Sequence, residues 1–443
     1  MLKCGFYEKE ITPAIGESIS GYYVPRISDD VKTRLYTKAV AINCDGSEFV
    51  IITIDTIHTS QEICDGIYER LAKFTNLKPE QIAIACTHCH TSGNVDNAWD
   101  FAFENKHFKD DIILKGADCA YLALRHMQEA EAYYGCKKVE DIAFIRNYKM
   151  KDGSVRTNPG IMNPDIVEPM GKPDEDFPFI MFKNLNGECI GSISSYALHH
   201  DTVAGNAYCA DFSGVLSDEL KDRYGREFVS LWLAGFSGNI NHVNTAVPYE
   251  DWPNPVYVHT GKKLAQAIFD SENTMEKIDV NEVKAYTKVK NVTKRKADEE
   301  EVQLAKELIK KPLSDFDFDT IDVNEPMSMV FRRARAGVLL EFYEKMNEPQ
   351  KMVLQVLKIG DCCIYLMNGE DYVEFQHYLK ENSPTTKNLF ASNANGGTSD
   401  YVPTKAMSEL PNLYESQIPS SVLLPGEAEK LIEELLEMSK EIF

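Results

Sequence analysis

The chain has 443 residues, 43% of them hydrophobic and 26% charged, which excludes extended disorder and leaves room for one large domain or two. Its net charge of −22, from 47 Lys and Arg against 69 Asp and Glu, argues against nucleic acid and anionic membranes as partners, because phosphate binding needs clustered cations. No run approaches the roughly 18 apolar residues of a membrane span, the N-terminus has no apolar signal core, and the eleven cysteines lie scattered in apolar runs as buried thiols do, so a cytoplasmic protein with no stable membrane association is expected.

Strands are predicted at 38–43 and 49–55, both rich in Val and Ile, and a helix over 61–76 with Ile63, Ile67 and Leu71 at helical spacing. A short strand at 81–85 and a long helix over 108–130 follow. Strands are expected at 142–148, 179–184 and 189–197, the last two joined by the turn signal Asn186-Gly187. A helix over 212–225, a strand at 228–234 and a helix over 256–271 come next. The segment of about 297–348 reads as an exposed insertion of two charged helices around an acidic loop. That loop carries Asp315, Asp317, Asp319, Asp322 and Glu325 and is expected to be solvated rather than a cation site. Strands resume at 351–359, 362–367 and 387–392, and an amphipathic helix over 425–442 closes the chain. It carries six glutamates against Lys430 and Lys440, the wrong charge for a membrane anchor, so it is expected to pack on its own domain. The fold class is α/β: a mixed sheet with flanking helices in a single large domain, residues 1–443.

Four loops that follow predicted strands carry chemistry, the place where α/β proteins commonly bind ligands. In the first, ACTHCHTSGN at 85–94, His88 and His90 are two apart and would share one side of an extended segment, with Cys89 facing away. Cys86 and Cys89 form a CxxC with no second pair to complete a structural zinc site. In the second, His199 and His200 are adjacent, so one of them is expected to face a site; Asp211 follows. Glu370 stands at a strand-to-helix transition, where favourable dipole pairing alone would explain it. Tyr401 follows the Gly396-Gly397 turn and reads by itself as a packed aromatic.

In their order these segments resemble the catalytic domain of the neutral ceramidase family. The matching pieces are ThrHisCysHisThrSerGly at 87–93, TyrAlaLeuHis at 196–199, AlaAspPheSerGly at 210–214 and LeuAlaGlyPheSerGlyAsnIleAsn at 233–241. AsnGlyGlu at 368–370, SerAsn at 392–393, TyrValProThr at 401–404 and TyrGlu at 414–415 complete the series. The resemblance implies one Zn2+ held by His88, His199, Glu370 and Tyr401, with His90 beside the reacting water. It further implies an active-site arginine at Arg146 and an oxyanion partner at Tyr414. Asp55 and Asp211 are candidates to orient a ligand histidine. Asn368, Asn239 and Thr91 depart from the family pattern, and neither an immunoglobulin-like C-terminal domain nor an export signal is read in the chain.

The expected function is zinc-dependent hydrolysis of a linear amide or ester by metal-activated water, on a small-molecule or lipid-like substrate other than membrane ceramide. The alternatives are a metallohydrolase for a small polar metabolite and a non-catalytic binding protein on the same fold.

Overall fold

Alternation decides the sheets. Along Tyr36–Cys44, Val40 and Ile42 point to one face while Ala39 and Ala41 point to the other, and all four are buried, as in a strand covered on both sides. The computed structural model describes residues 1–97, 101–396, 400–411 and 413–443, which leaves Gly397 of the expected turn outside the described residues. Among these the larger sheet has nine strands. Across it run Val229–Ala234, Cys189–Tyr196, Asp176–Asn184, Gln128–Lys138, Leu2–Glu10, Tyr36–Cys44, Ser47–Ile54 and Ile82–Cys86, with Glu276–Lys277 beside Gln128–Lys138. The two ends of the sheet are parallel pairs, and the strands between them are antiparallel. A second sheet of four takes the order Val283–Val292, Gln350–Ile359, Cys362–Met367, Lys387–Ala391, its last pair parallel.

The sheets face each other. Val40, Ile42, Phe49 and Ile51 of the first share one buried cluster with Leu357, Ile359, Ile364 and Leu366 of the second. Helices close the outer faces. Ile63, Ile67, Phe108 and Ile112 of Gln61–Leu71 and Lys106–Arg125 cover one half of the larger sheet. Phe212, Leu216, Leu264 and Ile268 of Asp211–Tyr224 and Val256–Phe269 cover the other half. Val373–Asn382 and Glu427–Ile442 cover the smaller sheet through Phe375, Leu379, Leu431 and Leu435. The architecture is mixed α/β, layered helix–sheet–sheet–helix. The C-terminal helix packs on its own domain, and its outward Glu434 pairs with Lys288 and Lys290. No helix among the described residues is long and apolar enough to cross a membrane.

The structure corrects the expected elements in three places. The helix expected over 108–130 ends at Arg125, and Gln128–Lys138 is a strand. Its Ala and Glu residues favour helix locally, but pairing with Leu2–Glu10 and Asp176–Asn184 on either side overrides that preference. Leu2–Glu10 and Val283–Val292, masked in the sequence by interspersed Lys and Glu, are strands as well.

The helical insertion is packed rather than wholly exposed. Met329–Lys345 buries Phe331, Arg333, Ala334, Arg335, Ala336 and Phe342. The acidic loop before it is fastened by Asn324, which accepts from Thr157 N at 2.8 Å and donates to Thr157 O at 2.9 Å. Among the described residues the loop forms no cluster of cation ligands.

Candidate metal centre

Five strands release their C-terminal ends at one place. His88 follows Ile82–Cys86, His199 follows Cys189–Tyr196, Gly238 follows Val229–Ala234, Glu370 follows Cys362–Met367 and Asn393 follows Lys387–Ala391. Backbone bonds lock these loops together: Gly238 N to Asp371 O at 2.8 Å, Asn393 N to Gly369 O at 2.8 Å and Ser392 N to Ala234 O at 2.8 Å.

Three imidazoles meet there by their Nε2 atoms. His88 Nε2 lies 3.0 Å from His199 Nε2 and 3.2 Å from His90 Nε2. Each ring donates its other N–H to a backbone carbonyl: His88 Nδ1 to Ile57 O at 2.7 Å, His90 Nδ1 to Gly21 O at 2.7 Å, His199 Nδ1 to Ser237 O at 3.2 Å. These bonds commit each Nδ1 proton and leave every Nε2 aimed at the same point. His88 and His90 do share a side, though not by strand alternation. His88 has φ of +62°, a left-handed conformation costly for a residue with a Cβ, held here by the surrounding bonds. His200 turns the other way and stacks on Phe212, ring centroids 3.9 Å apart.

Glu370 supplies the negative charge. Its Oε2 is 3.5 Å from His88 Nε2 and 3.6 Å from His199 Nε2, is buried, and has no hydrogen-bond partner. Glu370 is paired directly with Tyr401 in a two-residue parallel ladder, so the two side chains are held as neighbours by backbone register. Tyr401 OH is 3.1 Å from Tyr414 OH. Over these rings lies the Arg146 guanidinium, 4.9 Å from the Tyr401 centroid and 5.7 Å from that of Tyr414. Arg146 Nε is 3.1 Å from Glu415 Oε1, but its N–H is not aimed for a hydrogen bond, and Nη2 has no partner. Glu415 is anchored by Thr157 and Asn147.

The charge states follow from burial and neighbours. Burial lowers the His88 pKa, but the Glu370 carboxylate and Cys86 outweigh it and push the value up to about 10. Burial, then the charge at His88, holds His90 and His199 well below the usual histidine range. Tyr401 and Tyr414 are held protonated by burial. Burial disfavours the charge on Arg146, but the ring faces of Tyr401 and Tyr414 and the Glu415 carboxylate more than offset it. The charge on His88 answers that of Glu370, and displacement of its Nε2 proton by an incoming cation would leave three imidazole nitrogens and a carboxylate oxygen around one point. The donor set fits a divalent metal ion.

All seven residues singled out in the sequence, His88, His90, Arg146, His199, Glu370, Tyr401 and Tyr414, line one cavity of about 710 Å³. Two other expectations are corrected. Asp55 and Asp211 do not orient a ligand histidine, since backbone carbonyls take that place. Asp55 instead accepts from Tyr36 N at 2.8 Å, and Asp211 from Thr202 N at 2.8 Å. Burial raises both carboxyls to about 6. Cys86 and Cys89 are free buried thiols that point to the Ile57 and Cys209 carbonyls. The three departures from the family pattern have structural uses. Asn239 accepts from Val373 N at 2.9 Å at the start of the Val373–Asn382 helix, Asn368 accepts from Val353 N at 2.7 Å, and Thr91 donates to Cys209 O at 2.8 Å.

Sequence reasoning missed Glu415's anchoring of Arg146, and the segment Gly21–Tyr23. Gly21 has φ of +112°, and a Cβ there would lie 2.8 Å from His90 Cα. Gly21→Ala is therefore expected to cost about 1–3 kcal/mol and to shift His90, with urea unfolding as the measure. Unchanged stability would show that the loop yields without strain.

No family model matches the chain, and no curated protein matches it in sequence. Solved structures do. The neutral ceramidase from Pseudomonas aeruginosa superposes over all of this chain and 74% of its own, with a TM-score of 0.76 at 16% identity. A structure described as a ceramidase complexed with C2 does so over all of this chain and 75% of its own, with a TM-score of 0.72 at 17% identity. The chain has the fold of the neutral ceramidases.

Proposed function

We propose that the protein is a zinc-dependent hydrolase of a linear amide or ester. The observation that carries this reading is the convergence of the His88, His90 and His199 Nε2 atoms in one cavity, the first and last of them also facing the partnerless Glu370 oxygen. His88, His199 and Glu370 would hold the ion, with Tyr401 beside them as the fourth ligand. When bound, a zinc ion supplies Lewis acidity, polarising a carbonyl and lowering the pKa of water towards neutrality.

The chain's own groups supply the rest. His90, its Nδ1 proton committed to Gly21 O, offers a neutral Nε2 that takes a proton from the attacking water and delivers it to the leaving nitrogen or oxygen. Arg146 and the Tyr414 hydroxyl, which line the same cavity, would be the donors for the developing oxyanion. Burial of the cluster strengthens each of these interactions.

The substrate we infer is smaller and more polar than membrane ceramide. The cavity wall carries Lys294, Arg335, Glu341 and Lys345 among apolar side chains such as Val323, Val338 and Phe342, a lining that suits a substrate with both a charged or polar group and a short apolar part. The test is chelation, reconstitution with zinc, and turnover of short N-acyl amides and esters set beside ceramide in detergent micelles. Activity should vanish on chelation and return with one zinc per chain. Turnover that ignores chelation would end the metal reading. Ceramide cleaved faster than every small substrate would end the reading of the substrate.

A further inference from the structure

The cavity wall carries a buried cation that, among the described residues, forms no ion pair. Arg335, on the Met329–Lys345 helix, is only 6% exposed and lines the same cavity as the metal centre. Its Nη2 donates to Ile418 O at 2.7 Å, and its guanidinium lies 4.9 Å from the Phe331 ring centroid. Its Nε–H is buried without a partner. Three carboxylates of the wall are already engaged. Glu341 is paired with Lys345 at 2.9 Å, Asp96 with His58 at 2.8 Å, and Asp201 accepts from Tyr22.

A buried guanidinium lacking a counter-charge is costly, and it persists where a ligand supplies the anion. Its planar fork matches a carboxylate in two-pronged fashion. In a chain of net charge −22 an anionic ligand needs such a local cation to enter at all. A run of ring contacts also links Arg335 to the site. Phe331 packs on Tyr23 at 5.1 Å between centroids, Tyr23 on Tyr414 at 6.3 Å, and Tyr414 shares its hydroxyl contact with Tyr401.

Building on the hydrolase reading, we propose that the substrate carries a carboxylate, which Arg335 binds while the scissile acyl group lies at the histidine cluster. Arg335 is thus a specificity-determining residue supplied by the helical insertion. The substrate class is an N-acyl amino acid or the half-amide or half-ester of a dicarboxylic acid.

The experiment measures binding and turnover separately. Zinc-loaded and chelated protein are titrated calorimetrically with N-hexanoylglycine and adipamic acid, each beside its neutral primary amide. At least one acid should bind about 10-fold or more tightly than its amide, as expected for a charge-assisted pair. Arg335→Gln should erase that preference, Arg335→Lys should keep part of it, and chelated wild type should retain it. A wild type indifferent to the carboxylate, or a preference untouched in Arg335→Gln, would overturn the proposal. So would a preference lost on chelation, because the carboxylate would then sit on the metal. If Arg335→Gln fails to fold, the preference of the chelated wild type and of Arg335→Lys still decides. Failure of the hydrolase reading looks different: no amide or ester is turned over although the binding preference remains.

Discussion

Gly238→Ala is expected to weaken zinc binding about 100-fold while leaving the chain folded. A Cβ at this position would lie 2.3 Å from Glu370 O, 2.9 Å from Glu370 C and 3.1 Å from Asp371 O. All three are backbone atoms, so no rotamer change relieves the clash, and one of the two loops must move. Either movement disturbs two metal donors at once. The Glu370 strand carries the carboxylate, and the neighbouring Ser237 carbonyl takes the Nδ1 proton that aims His199. The clash lies in loops, whereas the sheets that form the core are untouched, so the stability loss should stay within about 1–3 kcal/mol. Competition with a chromophoric chelator gives the affinity, and circular dichroism reports the fold. Wild-type zinc affinity in a folded Gly238→Ala would show that the two loops do not set the donor geometry together.

The sequence and the structure agree best where chemistry and periodicity are local. Val- and Ile-rich strands such as Ser47–Ile54 are legible because burial on both faces forces an unbroken apolar run. Gln128–Lys138 is not legible, because its pairing partners lie about 40 residues downstream and at the other end of the sequence, and its own composition favours helix. The site shows the same division. His88, His199 and Glu370 are visible as ionisable groups just after apolar strands. The meeting of Glu370 with Tyr401 depends on a two-residue ladder, for which the sequence offers no signal beyond the family resemblance. The sequence points to Asp55 and Asp211 as the groups that orient the histidines, whereas the Ile57 and Ser237 carbonyls do so, because a carboxylate is conspicuous in a sequence and a backbone carbonyl is not. Arg335 was hidden in a helix whose other charges are mostly solvated, and only the fold shows which face of that helix is turned to the cavity.

His90→Ala is expected to keep its zinc and to lose about 10²–10⁴-fold in turnover. The geometry permits two roles for this residue, and they make opposite demands. Its Nε2 belongs to the same cluster as those of His88 and His199, all within 4.8 Å of one another, as a third histidine ligand would. Its surroundings differ from theirs. His88 and His199 are 3% and 2% exposed and touch Glu370, whereas His90 is partly open to the cavity and forms no contact with that carboxylate. A residue that must collect a proton from water and pass it to a leaving group needs that access. A ligand does not. Burial above all holds His90 neutral, so its Nε2 presents a lone pair rather than a proton to the cavity. With His90 removed, the proposed ligands His88, His199, Glu370 and Tyr401 would still provide four donors, enough for a zinc site. Zinc content and rate are to be measured on one sample. Stoichiometric zinc with a collapsed rate assigns proton transfer to His90; loss of zinc together with the rate would make it a ligand and leave proton transfer to another group.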